Sequence, residues 1–149
     1  MIATQTSVED LTLNITQEIQ VKASLENTFA ALLDELGPGL VDGQGQPMSM
    51  KIEPWPGGRW YRDLGNGNGH CWGHVQSIKK PALLEFYGPL MMSYPVTSNV
   101  QYRLTHENGV TTIKFQHKAL GVIQQDHREG LTKGWGAIHE KAKARAEKR

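Results

Sequence analysis

Three polar side chains fall on runs that are otherwise apolar and alternating. His117 follows Ile113 and Phe115 at spacing two, His74 follows Trp72, and Arg62 follows Trp60. Every second side chain of an extended segment lies on one face. Each of the three is therefore expected to point inward beside aromatic residues. A polar group buried without a partner costs a few kcal/mol, so protein, water or ligand must satisfy it. The plain reading is a histidine satisfied within the protein, or an arginine that reaches out to the rim; the sharper one is anchoring, a few polar groups that orient the oxygen atoms of a bound molecule. Arg59 and Arg62 could meet an anionic group, but they are three apart, so on a regular strand one of them faces outward.

Other reactive residue types make weaker patterns. His70, Cys71 and His74 lie close in sequence. On a strand, residues four apart are separated by roughly 13 Å, too far to share one metal ion. Cys71 as a nucleophile would need a nearby base and an activated thiolate, and His70 points to the opposite face. Glu53 and Glu85 sit on strands of unfixed register, so nothing in the sequence argues for an acid–base pair. The run Gly65-x-Gly67-x-Gly69 lacks the lysine and helix of a phosphate loop and fits a hairpin better. No metal site, cofactor or catalytic residue is expected.

The elements that must position these residues follow from pattern. Leu11, Leu13, Ile15, Ile19 and Val21 predict a first strand at about 11–22. Ser24 is a candidate N-cap with Glu26 in the first turn. Leu25, Phe29, Leu32, Leu33 and Leu36 then make one helical face, which Gly37-Pro38-Gly39 ends. A glycine-rich loop at 39–47 reads as a connector, with a mobile lid as the alternative. Alternating segments follow: Met48 to Ile52, Trp60 to Arg62, His70 to Ile78, Leu83 to Tyr87, Val100 to Leu104 and Ile113 to His117. Asn66-Gly67, Asn68-Gly69 and Asn108-Gly109 are hairpin signals among them. The segment at about 122–148 is helical, with Ile123, Leu131, Trp135, Ile138 and Ala142 on one stripe. Gly130, Gly134 and Gly136 each cost about 1 kcal/mol there relative to alanine. They suit a helix that bends or that a backbone or ligand approaches closely.

The predicted fold is α+β: a curved antiparallel sheet of about seven strands, a short helix after the first strand, and a long C-terminal helix across the sheet. The expected organisation is a polar tail at 1–10 and one domain at 11–149. Sheet against helix leaves a wedge, which large side chains either fill or line. The expected ligand-binding residues are Trp60, Arg62, Trp72, His74, Phe86, Met91, Tyr102, Phe115, His117 and Trp135, with Met92 nearby. Aromatics give area of definite shape, and methionines adapt to irregular volumes.

Bulk properties narrow the class. With 149 residues and a formal charge of +1, there is no electrostatic case for nucleic acid or membrane binding. The single cysteine, Cys71, allows no intrachain disulfide. No leader is legible at the N-terminus, and no apolar run approaches the roughly 20 residues of a spanning helix. A cytoplasmic location is the simplest expectation. A basic stretch, Lys141 to Arg149, suits a helix C-terminus.

The order strand, short helix, six-strand meander, long helix resembles the Bet v 1-like, START-like superfamily, also called SRPBCC, in its helix-grip fold. Within it the chain is similar to the branch related to the activator of the Hsp90 ATPase. The residues that carry this are Ile19 to Phe29, Glu53-Pro54-Trp55-Pro56-Gly57-Gly58-Arg59-Trp60, Gly73-His74-Val75 with Ile78 and Pro81 to Leu84, and Gly134-Trp135. The resemblance covers about 13–140. It implies a hydrophobic or aromatic small molecule held between sheet and helix. It leaves open a chaperone-binding module and an enzyme of the aromatase/cyclase or hydrolase kind. A homodimer is neither demanded nor excluded.

Overall fold

The computed structural model describes residues 7–149. Alternation and turn chemistry give seven strands, a short α-helix and a long one. These are β1 (Thr12–Val21), α1 (Leu25–Leu36), β2 (Met50–Ile52), β3 (Arg59–Gly65), β4 (Asn68–Lys79), β5 (Leu83–Gly88), β6 (Val96–Glu107), β7 (Val110–Gly121) and α2 (Gln125–Glu147). They form one antiparallel sheet in the order β1-β7-β6-β5-β4-β3-β2. Both helices lie on its concave side, which is the helix-grip arrangement. Part of the expected tail at 1–10 lies outside the described residues. A single 3-10 turn, Glu9–Leu11, runs across its end.

Local chemistry accounts for the boundaries. The Ser24 hydroxyl caps α1 by accepting from the Asn27 N–H at 3.1 Å, satisfying a donor that has no partner within the helix. Asn66 and Gly67 turn with positive φ of 56° and 76°, as do Asn108 and Gly109 with 52° and 78°. The second expected turn, Asn68-Gly69, is instead the start of β4. The loop at 39–47 is built rather than slack. Asp42 accepts from the N–H groups of Gln44 and Gln46 at 2.8 and 2.9 Å, and Val41 bridges to Pro47.

One irregularity redirects a candidate residue. Between β3 and β4, Trp60 pairs with Gly73 and Tyr61 with Cys71, so Trp72 is the extra residue of a β-bulge. A bulge shifts the alternation by one. Trp72 and Val75 both point inward, and His74 turns to the convex face, where its ring stacks on Tyr87 at 5.7 Å. The expectation that His74 shares the inner face with Trp72 is therefore overturned. Gly73 permits the kink, because a Cβ there would lie 2.3 Å from the Tyr87 carbonyl oxygen.

The core fills the space between sheet and helices. Val21, Leu32, Leu36, Val75, Leu84, Leu90, Met92, Val100 and Ile113 are wholly buried in it. The helices are joined by an ion pair in which Arg145 donates to the buried Glu35 at 2.8 Å. Among the described residues no helix is long and apolar enough to cross a membrane.

Candidate functional site

The residues expected to line the wedge meet, and at its centre they fill it. Trp60 stacks on Phe86 at 4.4 Å and packs edge-on to Trp72 at 5.2 Å. The Trp60 indole donates to the Leu36 carbonyl at 2.8 Å, using one of the last carbonyls of α1, which have no partner within the helix. Phe115 lies between Tyr102 and Trp135, at 5.0 and 4.9 Å. All six aromatic rings are 5% exposed or less.

The buried polar groups satisfy one another in two short chains. The Trp135 indole donates to His117 Nδ1 at 3.0 Å, and His117 Nε2 meets the Ser98 hydroxyl at 2.9 Å. His117 Nδ1 is thus an acceptor, and the hydrogen-bond pattern places the ring proton on Nε2. In the second chain, Gln17 Nε2 donates to the Thr132 carbonyl at 2.9 Å, which leaves Gln17 Oε1 to accept from His139 Nδ1 at 2.7 Å. His139 Nε2 then accepts from the Tyr102 hydroxyl at 2.9 Å. Burial lowers both histidines to a pKa of about 4 and raises the Tyr102 hydroxyl well above its ordinary value. Both imidazoles are neutral at pH 7 with both ring nitrogens engaged. No buried side-chain polar atom among the described residues is left without a partner.

The other candidates stand apart from this centre. Arg62 keeps the inward parity of Trp60 but lies at the edge, where its Nε donates to the Met48 carbonyl at 3.0 Å. Arg59 is the arginine that faces outward. It holds Glu53 through two hydrogen bonds of 2.7 and 2.9 Å, and this contact keeps the Glu53 carboxyl well below the usual carboxylate range. Glu85 accepts from Asn99 and Gln101 on the convex face. Cys71 is exposed.

Gln17 and His139 take part in the buried network and were not singled out from sequence. Signals existed for both. Gln17 is the one polar residue in the inward row of β1, and His139 is four residues after Trp135 on the buried stripe of α2.

At the mouth of the grip lies a recess of about 200 Å³, between the 39–47 loop, Met91 and α2. Val41, Met91, Leu131, Trp135, Ala137 and Ile138 give it apolar walls, with Asp42 and Lys141 as its charged residues and Gly134 as a bare stretch of helix. The glycines of α2 do not admit a close backbone. A Cβ at Gly130 or Gly134 would meet nothing within 4 Å.

Comparison with known proteins fixes the family. The family model described as Activator of Hsp90 ATPase homolog 1-like protein matches residues 22–147. The chain belongs to this family. No functionally curated protein matches it. Among solved structures, a protein from Rhizobium leguminosarum is 17% identical, with a TM-score of 0.67 over 93% of this chain and 97% of its own. Ara h 8.0201 is 12% identical, with a TM-score of 0.67 over 93% and 99% of the two chains. The di-domain ARO/CYC StfQ from the steffimycin biosynthetic pathway is 12% identical, with a TM-score of 0.65 over 95% of this chain and 53% of that one. At these identities the likeness speaks for the shared fold.

Proposed function

We propose that this family member holds a small apolar molecule at the mouth of the grip, in the recess between the 39–47 loop and α2, and that it does not transform what it holds. The observation that carries this is Gly134. A glycine inside a helix costs about 1 kcal/mol relative to alanine, and nothing packs where its Cβ would be, yet it lines an apolar hollow. Gly130 is equally open but lies off the hollow; at Gly134 the bare helix adjoins apolar walls against which an occupant can lie. The recess is smaller than the roughly 300–1,000 Å³ of drug-sized sites, so the ligand is fragment-sized. Of the expected site residues, Met91 and Trp135 line it. The other aromatics act as its rigid support. Against catalysis stand the two neutral histidines, whose ring nitrogens are all engaged, and His74 on the far face.

The test is a thermal-shift and NMR screen of fragment-sized apolar compounds on the wild-type domain and on Gly134→Leu, which fills the recess from a position with free space. Binding to the wild type that is lost in the folded variant supports the proposal. Unchanged binding in the variant counts against it.

A second reading, a docking module for a chaperone, has one observation in its favour. Trp55 is 55% exposed on a loop fixed by backbone hydrogen bonds, including Gly57 N–H to the Val75 carbonyl at 2.8 Å. A pull-down with purified Hsp90 that depends on Trp55 supports this reading, and no retention argues against it.

A further inference from the structure

The recess that carries the proposed function is lined by one carboxylate whose own loop already satisfies it and one ammonium that has no partner among the described residues, and we infer from it that the ligand is a short amphiphile with an anionic head, an acyl or aryl carboxylate, whose head is met by Lys141. This rests on the recess being the binding site and adds the class of molecule.

Two charged residues line the recess, Asp42 and Lys141. Asp42 is already committed. Its Oδ1 accepts two backbone N–H groups of its own loop, from Gln44 and Gln46, and these bonds lower its pKa. Lys141 is not committed. Among the described residues its ammonium makes no ion pair and no hydrogen bond. Its helix offers it nothing either. Side chains three and four residues apart are neighbours on a helix surface, and for Lys141 these are Ile138, Ala137, Ala144 and Arg145. Among the described residues Lys133 and Lys143 make no ion pair either, but each has a carboxylate at helical spacing: Glu129 four residues before Lys133, and Glu140 and Glu147 three before and four after Lys143. Arg145, the nearest cation along the face, is held by Glu35.

The geometry suits an amphiphile. Gly134 and Lys141 are seven residues apart, two turns of α2 and about 10 Å along its axis. Helical side chains lean toward the N-terminus, so Lys141 reaches back over Ala137 toward the apolar floor at Trp135. A recess of about 200 Å³ matches the volume of about seven waters, which is on the order of an acyl chain or phenyl ring with a short tether. The apolar tail lies against Gly134, and the carboxylate sits at the solvent-facing rim, where it stays partly hydrated.

The experiment compares hexanoate and 3-phenylpropionate with the neutral alcohols 1-hexanol and 3-phenylpropanol, titrated by NMR into the wild type, Lys141→Met and, as control, Lys143→Met. Because Lys141 is exposed, the carboxylate gains at most about fivefold over the alcohol, and the advantage shrinks as salt screens the pair. The expected result is that Lys141→Met removes this preference while alcohol affinity is kept, and that Lys143→Met leaves it intact. If acids and alcohols bind the wild type equally, or if the preference survives in Lys141→Met, the anionic class is overturned while the recess stands as the site. If neither acids nor alcohols bind, the reading of the recess itself falls, and this inference falls with it.

Discussion

The centre of the wedge and the recess at its mouth are built from similar residue types on neighbouring turns of α2, yet they are in opposite states. At the centre every aromatic ring has a neighbour and every buried polar atom a partner. At the mouth, Gly134 has open space where a side chain would be, and Lys141 has no partner among the described residues. The difference teaches where the fold spends its side chains. Trp60, Phe115 and Trp135 close the grip. On the proposed reading, a bound molecule sits beside them rather than among them.

Acid gives the largest effect that separates the two regions. His117 and His139 have a pKa of about 4 in the folded chain, below the ordinary 6.5. Between these values the unfolded chain binds protons that the folded chain refuses. Stability from this source is whole above pH 6.5 and falls as pH drops toward 4. The loss reaches about 3 kcal/mol per histidine. Urea unfolding across pH 4–7 should show it. A flat profile would mean that the centre is not closed around neutral imidazoles.

Next in size is Trp60→Ala, which removes the ring that joins Trp72, Phe86 and the end of α1. The expected cost is about 3–5 kcal/mol, measured by chemical denaturation. A small cost would imply that the centre is loose enough to admit a ligand. Gln17→Leu should cost about 1–3 kcal/mol, because it strands the His139 N–H. The smallest effect has the opposite sign. Gly134→Ala should raise stability by up to about 1 kcal/mol, since the added methyl meets nothing. A loss there would show that the space is not free.

Much of the scaffold was legible because period-two alternation and Asn-Gly turns mark strands and hairpins, although β6 and β7 run three or more residues past their alternating segments at each end. Ser24, Gly37 and the stripe from Leu131 to Ala142 did the same for the helices. What alternation alone misses is a break in its own count. The bulge at Trp72 leaves no compositional mark beyond Gly73, so His74 was placed on the wrong face. The polar network was half legible. His117 stood out by parity, while Gln17 and His139 needed the apposition of β1 and α2, which neither segment encodes alone. The recess depends on how the 39–47 loop lies over α2, and three glycines in a helix are only a hint of it.

The claim that binding belongs to the mouth and not to the centre is tested most directly by chemical-shift mapping with 3-phenylpropionate. The account predicts that the largest amide shifts fall on Val41, Gly43, Met91, Gly134 and Ala137, with the Trp60 indole N–H unmoved. Shifts centred on Trp60, Trp72 and Phe86 would contradict it.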